Sequence, residues 1–246
     1  MAGKIIFGLN PVREALASGR YANRLYIAKE SHAKGANKLV DTARAQSLPV
    51  DYVPQAKLNA LTGTQEHQGI AAAISPVEYI TLEACLETCP TRATLLLLDQ
   101  VHHSRNLGLM IRSATGAGAT ALILVARGGA LLDETVVRAS AGTVLRLPIV
   151  RCTNLSQAIR ELKDHDFWVY GMEPQGGQSL FTTDWPERCA LVAGNETAGL
   201  RPGVRKACDA LVTIPLESEL DSLNVAMATG IALFQAREGR GDTTGS

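Results

Sequence analysis

The 246-residue chain lacks a long hydrophobic run, a net charge and a secretory leader pattern. Its longest nearly apolar stretch, residues 117–126, is well short of the ~18–20 residues that span a bilayer. The first ten residues contain one lysine and no apolar run of seven or more, so we expect no secretory signal and a cytoplasmic protein. The 24 basic and 24 acidic residues cancel, which argues against a polycation that coats nucleic acid without specificity.

Several common site patterns are also missing. The five cysteines are an odd number in a long chain, which indicates reduced thiols. Cys85 and Cys89 lack a second ligand pair, so we expect no metal site. The chain has no G-x-S-x-G elbow and no Walker loop. Residues 116–121 match G-x-G-x-x-A, but they follow a helical pattern and precede a strand pattern, which predicts a helix-ending turn instead of a dinucleotide site.

Charge and composition divide the chain into three parts. Residues 1–75 carry nine basic and five acidic residues, a net charge of +4, and alternate short helix and strand signals. Residues 76–92 contain Pro76, Pro90 and three glutamates, which is typical of a linker, with room for one short helix around residues 82–86. Longer apolar runs follow, so residues 93–246 are predicted to form the larger domain.

Both domains have the patterns of an α/β protein. In the first, Asn10-Pro11 predicts a helix start, residues 38–45 a further helix, and residues 25–27, 50–53 and 69–74 strands. In the second, runs rich in Leu, Ile and Val predict strands buried on both faces of a mostly parallel sheet, with amphipathic helices between them. These runs are residues 95–98, 121–125, 144–150, 168–170, 190–193 and 211–214.

Polar residues collect after three of the apolar strands, in residues 98–114, 191–204 and 214–234. In open α/β sheets, ligands bind in the crevice beyond the carboxyl ends of the strands. If the three strands are neighbours, their loops line one pocket. The polar candidates for that pocket are Asn106, Arg112, Glu196, Ser222 and Asn224.

Each candidate taken alone also has a simpler interpretation. Asn106 and Ser222 are suitable helix caps. Arg112 lies about 140° around a helix from Leu107, opposite the apolar stripe, which is typical of a solvated side chain. Glu196, in a loop flanked by glycines, could lie at the surface.

Together, the three loops resemble the three sequence motifs of the SpoU (TrmH-type) branch of the SPOUT RNA 2′-O-ribose methyltransferases. The motif residues are Asp99, Val101, Asn106, Gly108 and Arg112, then Gly194-Asn195-Glu196 with Gly199-Leu200, then Ile214-Pro215-Leu216 and Ser222-Leu223-Asn224-Val225. Residues 138–148 fit the stretch between the first two motifs. Residues 7–16 and 67–72 resemble the small substrate-binding domain, of ribosomal-protein L30e type, that several members carry. The chain departs from the pattern at His103-Ser104, where the family usually has Asp-Pro, which affects the rigidity of this loop more than the chemistry.

The resemblance implies a catalytic domain with a deep trefoil knot, bound S-adenosylmethionine and a homodimer whose active site draws on both subunits. By position, the backbone of Gly194, Ile214, Leu216 and Leu223 would hold the cofactor. Among members, the chain is most similar to the bacterial enzymes that methylate a guanosine 2′-hydroxyl of 23S ribosomal RNA. The expected partner is therefore RNA, naked or in an assembling large ribosomal subunit, and not DNA or a membrane.

The resemblance also assigns roles to the polar residues. It makes Arg112 the activator of the 2′-hydroxyl, but a guanidinium has five donors and no acceptor. We therefore expect a charged Arg112 to hold the adjacent phosphate and stabilise the developing oxyanion, with Asn106, Glu196, Ser222 and Asn224 orienting the site. Three alternatives remain, namely a transfer-RNA methyltransferase, a non-catalytic RNA-binding or ribosome assembly factor, and a Rossmann dehydrogenase.

Overall fold

A computed structural model of the chain describes residues 4–29, 35–217 and 221–240. The strands are β1 (Lys4–Phe7), β2 (Ala22–Ala28), β3 (Val50–Val53), β4 (Ile70–Ile74), β5 (Ala93–Leu98), β6 (Ala121–Val125), β7 (Ile149–Cys152), β8 (Trp168–Met172), β9 (Gln178–Ser179), β10 (Arg188–Ala193) and β11 (Ala210–Thr213). The helices are α1 (Leu9–Ser18), α2 (Ala36–Ala45), α3 (Gln55–Thr62), α4 (Leu82–Glu87), α5 (Ser104–Gly116), α6 (Glu134–Ala139), α7 (Leu155–Asp164), α8 (Pro202–Ala207) and α9 (Val225–Glu238).

These elements form two compact units, which confirms the α/β class. One unit joins residues 1–78 to residues 132–146, and the other joins residues 79–131 to residues 147–246. Within the described residues, no helix is long and apolar enough to cross a membrane. All five cysteines are free thiols.

The first unit is a four-stranded sheet in the order β1-β4-β2-β3 with helices packed on it. Strand β4 pairs antiparallel with β1 and β2, and β2 pairs parallel with β3. Helix α6 packs on β1, and a 3₁₀ turn at Thr143–Leu145 packs on α1. Residues 132–146, which the sequence places within the predicted 93–246 domain, therefore belong to this unit.

Two details of the sequence prediction are wrong. Helix α1 begins at Leu9 with Gly8 as its N-cap at φ +89°, so Asn10 is not the cap and Pro11 is the third helical residue. Proline is tolerated there because the first-turn N–H groups have no intrahelical acceptor. The predicted strand 144–150 is also split, since the 3₁₀ turn takes its first part and β7 begins only at Ile149.

The second unit is a seven-stranded sheet in the order β7-β6-β5-β10-β8-β11-β9, and every pair in it is parallel. The six residues of β5 are all buried, as the apolar run predicts. Helix α4 lies within the predicted linker 76–92, yet its Leu82, Cys85 and Leu86 are part of the core of this unit. Helix α5 ends at Gly116, and a turn through Gly118 at φ +75° leads into β6, which confirms the predicted helix-ending turn.

The strand order brings the motif loops to one edge of this sheet. Ala193, the last residue of β10, is in register with Leu98, the last residue of β5. On its other side β10 pairs with β8, and β8 pairs with β11. Because these strands are parallel, the segments that follow them leave the sheet at the same edge. The trefoil knot implied by the resemblance stays a prediction.

Candidate functional site

A cavity of about 170 Å³ opens at this edge, between the segments that follow β8, β10 and β11. Its walls include all four residues that the resemblance assigns to the cofactor, Gly194, Ile214, Leu216 and Leu223. Ser222 and Glu196, two of the five polar candidates, also line it. Segments far apart in the sequence therefore form one concave site.

The chemistry of the cavity suits S-adenosylmethionine. Its walls are largely apolar, and within the described residues they include two carboxylates, Glu173 and Glu196, and no lysine, arginine or histidine. A nucleotide with phosphates would meet no cation in such a lining, whereas a neutral adenine and a positively charged sulfonium fit it. The residues present therefore fit this cofactor, which when bound supplies an electrophilic methyl group.

The loop after β10 requires glycine. The N–H of Asn195 donates to the Gly199 carbonyl at 3.0 Å, and the N–H of Gly199 donates back at 3.1 Å. A Cβ on Gly194 would lie 2.3 Å from the Gly199 carbonyl carbon, and Gly199 itself has φ +67°. Since no side chain fits at Gly194 and φ above zero favours glycine at Gly199, the Gly-Asn-Glu-x-x-Gly pattern has a steric basis here.

Glu196 is fixed at the amino end of α5. Its Oε2 accepts the backbone N–H of His102 at 3.2 Å, and its Oε1 accepts that of His103 at 3.1 Å. The Asn106 amide donates to Oε1 at 3.2 Å, and His103 Nδ1 lies 3.0 Å from the same oxygen. Burial alone would raise the pKa of Glu196, but hydrogen bonds from its own backbone N–H, from those of His103 and His102 and from the Asn106 amide outweigh it and lower the pKa to about 2. Glu196 is therefore ionised at neutral pH.

A carboxylate therefore lies at the amino end of α5, next to the departure at His103-Ser104. A carboxylate at a helix amino terminus interacts favourably with the exposed N–H groups and the helix dipole. Glu196, from the loop after β10, is such a carboxylate at the amino end of α5. The His103 side chain makes no capping hydrogen bond to α5.

Asn106 and Asn224 connect α5 to α9. The Asn224 amide donates to Asn106 Oδ1 at 3.3 Å, while Asn224 Oδ1 accepts the N–H groups of Ala226 and Met227 as the N-cap of α9. Ser222 is therefore not the cap of this helix. Asn106 is not a cap either, because it is the third residue of α5 and its amide binds Glu196. A chain of polar contacts thus runs from Glu196 through Asn106 to Asn224.

Arg112 lies in a different place. It is exposed, two turns along α5, on a groove of about 880 Å³ between α5 and α9 that Asn106 and Asn224 also line. The cofactor cavity does not have Arg112 in its described lining. Asn106, Glu196, Ser222 and Asn224 are therefore grouped at or beside the cavity, whereas Arg112 faces the groove.

Sequence reasoning missed Glu173, which follows β8 and lines the cofactor cavity. Its signal is the same as that of the other loops, a polar residue directly after an apolar strand. What the sequence does not reveal is that β8 lies between β10 and β11 in the sheet.

Comparison with known proteins identifies the family. The SpoU rRNA Methylase family matches residues 93–234. A second family, RNA 2′-O ribose methyltransferase substrate binding, matches residues 5–80. The two matches cover most of both α/β units.

Individual relatives are also named as RNA methyltransferases. The chain is 34% identical to an uncharacterised tRNA/rRNA methyltransferase of Synechocystis sp. over 96% of its own length and 63% of that protein. It is 32% identical, over 98% of both chains, to a Staphylococcus aureus protein named for the TrmH family of tRNA/rRNA methyltransferases. The crystal structure of an AdoMet-bound rRNA methyltransferase from Sinorhizobium meliloti superimposes with a TM-score of 0.79 at 29% identity, covering 96% of this chain and 87% of that one. These matches show that the chain is an RNA methyltransferase and belongs to the SpoU family.

Proposed function

We propose that this protein transfers a methyl group from S-adenosylmethionine to the ribose 2′-hydroxyl of a guanosine in 23S ribosomal RNA, in the cytoplasm. The observation that carries the proposal is the position of Glu196, which lines the cofactor cavity and also binds Asn106 at the amino end of α5. The cofactor site and the polar residues of the first motif are therefore directly connected.

Methyl transfer to a hydroxyl requires the oxygen to approach the methyl group in line and to lose its proton. Bound S-adenosylmethionine would supply the methyl group and leave as S-adenosylhomocysteine, and the hydroxyl proton would pass to water. Asn106 and Asn224 present amide groups beside the cavity and orient the ribose. Arg112 remains charged, holds the adjacent phosphate and stabilises the oxyanion that develops on the 2′-oxygen.

A second copy of the chain completes this site. The groove that contains Arg112 also exposes Leu109, Met227 and Phe234, whose exposed fractions are 39%, 58% and 44%. Large apolar side chains that cluster on one exposed face are typical of a protein interface. A two-fold contact through α5 and α9 would cover them and place the Arg112 side chains of both copies within the assembly.

In this proposal, RNA binding and catalysis belong to different parts of the chain. The first unit binds RNA through the positive charge of residues 1–75. The second unit, whose core includes α4 of the predicted linker 76–92, forms the knotted catalytic domain. Nine basic residues against five acidic ones favour the first part for phosphate contacts. The match of residues 5–80 to a substrate-binding family supports the same assignment.

Transfer RNA is the second candidate substrate. The names of the Synechocystis and Staphylococcus relatives include both tRNA and rRNA, whereas the Sinorhizobium protein is named for rRNA alone. The L30e-like first domain favours ribosomal RNA.

The test is transfer of labelled methyl from S-adenosylmethionine to total RNA from cells that lack this protein, followed by separation by size. Label in 23S RNA, resistant to alkali at one site, is the expected result. Label in transfer RNA would keep the reaction and overturn the substrate. If RNA and ribosomal subunits gain no label and the cofactor does not bind, the result would favour a non-catalytic RNA-binding factor.

A further inference from the structure

The two carboxylates that line the cavity among the described residues are held in different ways. Glu196 points to the amino end of α5, where backbone N–H groups and the Asn106 amide occupy its oxygens. Glu173 follows β8 on another wall of the cavity. The first carboxylate binds several N–H groups at α5, whereas the second forms one ion pair, with Arg205 of α8.

Glu173 is rigidly placed. Its backbone N–H donates to the Val212 carbonyl of β11 at 3.0 Å, so the sheet fixes the Cα position. Its side chain is only 16% exposed. The Oε2 atom lies 3.9 Å from the point where a Cβ on Gly199 would be, so the carboxylate borders the glycine loop that forms the neighbouring wall.

The charge of Glu173 is only partly balanced. Its Oε1 lies 3.3 Å from Nε of Arg205 on α8, and the Arg205 side chain is 53% exposed. Water screens an ion pair with such an exposed partner, which makes it weak. A carboxylate has about four acceptor positions, so Glu173 retains charge and acceptor capacity beyond its contact with Arg205.

The ligands that enter this cavity differ in charge. S-adenosylmethionine carries a sulfonium, and S-adenosylhomocysteine, the product left after methyl transfer, has a neutral thioether in its place. A partly buried carboxylate attracts the first more than the second, because the interaction of charges strengthens as water is excluded.

We propose that Glu173 selects the cofactor by charge, favouring S-adenosylmethionine over S-adenosylhomocysteine and so promoting exchange of the spent product. This inference rests on the proposed methyl transfer. Glu173 affects the relative affinity of the cavity for the two ligands, whereas the polar residues near α5 orient the RNA.

The test is calorimetric titration of the full-length protein with each of the two ligands. In Glu173→Gln, which keeps the shape of the side chain and removes its charge, we expect about a tenfold loss of affinity for S-adenosylmethionine and no change for S-adenosylhomocysteine. Glu173→Asp keeps the charge and should retain the ratio of the two affinities. The matched control is Glu238→Gln, the same change on an exposed residue at the end of α9, which should leave both affinities unchanged.

Two results would overturn the inference. One is an unchanged ratio of affinities in Glu173→Gln. The other is an equal loss for both ligands, which would mean that Glu173 binds a group common to both. Thermal unfolding of each variant establishes that it is folded. If the unaltered protein binds neither ligand, the proposed function itself fails, and that outcome is distinct from a failure at Glu173.

Discussion

Arg201 holds Asp99 by both its side chain and its backbone. Asp99 directly follows β5 and is fully buried, and its Oδ1 accepts Nε of Arg201 at 2.7 Å while its Oδ2 accepts the Arg201 backbone N–H at 2.9 Å. Arg201 is the N-cap of α8 and follows the glycine loop. This contact therefore ties the end of β5 to the far end of the loop that lines the cofactor cavity.

Removing the Asp99 charge should destabilise the protein and loosen this loop. We expect Asp99→Asn to lower the free energy of unfolding by about 1–3 kcal/mol, because it weakens a buried ion pair whose arginine remains partly solvated. Chemical denaturation measures the loss. The control is Asp51→Asn, which weakens the more exposed pair between Arg24 Nη1 and Asp51 at 2.8 Å. An equally small effect of both substitutions would contradict a structural role for Asp99.

Glu196→Gln should lower the free energy of unfolding by an amount that depends on pH. The folded protein holds the Glu196 pKa at about 2, well below the ordinary value of 4.5, so the unfolded chain binds its proton more readily. The stabilisation is therefore complete above about pH 5 and is lost as the pH falls toward 2. Urea unfolding from pH 7 to pH 3 should show a difference of about 1–3 kcal/mol between the two proteins at pH 7. That difference should shrink below pH 4.5. Glu217→Gln, on an exposed residue, should show no such trend, and a constant difference for Glu196→Gln would refute the carboxylate's role.

Arg112→Lys should strongly reduce methyl transfer and leave cofactor binding intact. A lysine keeps the charge but lacks the planar fork that binds a phosphate and an oxyanion together, so we expect a loss of at least about 10²-fold in turnover. Because the described cavity lining does not include Arg112, S-adenosylmethionine should bind with unchanged affinity in calorimetry.

Arg105 provides the control for Arg112. It lines the same groove, so Arg105→Lys makes the same chemical change nearby and should retain most of the turnover. Near-normal turnover in Arg112→Lys would contradict both roles considered for Arg112. These are activation of the 2′-hydroxyl and, for a charged Arg112, contact with the phosphate and the developing oxyanion.

Arg13 and Lys38 should contribute to RNA affinity. They line a cleft of about 240 Å³ between α1 and α2 in the first unit. We expect Arg13→Ala and Lys38→Ala each to weaken RNA binding and to reduce the salt dependence of the affinity by about one unit of slope. Filter binding at several salt concentrations measures both effects.

Arg160→Ala on the exposed face of α7 is the matched control for these two substitutions. An unchanged salt slope in both first-unit variants would refute RNA binding through this cleft. Point substitutions are preferable to deletion of residues 1–75, because residues 132–146 pack on α1 and β1 and would lose their partners.

The sequence predicted the buried strands well because burial on both faces leaves a continuous apolar run, as in β5 and β6. The strand predicted at residues 144–150 is wrong in its first part, residues 144–147, because a buried turn also contains a run of apolar residues. Gly142 at φ +88° starts a 3₁₀ turn there, and Val144 and Leu145 are buried without joining a sheet. Periodicity does not distinguish the two cases.

The candidate residues were predictable one by one, but their arrangement was not. Glu196 and His102 are 94 positions apart, yet they form a hydrogen bond. That contact depends on β10 pairing with β5, and neither strand contains a signal for its neighbour. Likewise, the sequence does not show that β8 lies beside β10, so it did not indicate that Glu173 lines the cavity.

Because β10 lies in the middle of its sheet, the sheet cannot form until late in synthesis. Its partner β5 begins at Ala93, but the pairing residue for Ala93 is Arg188, so the ribosome must add about a hundred more residues before the middle of the sheet can close. Until then β5 has one unpaired edge, because β6 pairs only with its other edge, and closing so long a loop is slow. A nascent chain halted before residue 188 should therefore depend on chaperones, whereas the first-unit sheet, complete at Ile74, has all its strands early.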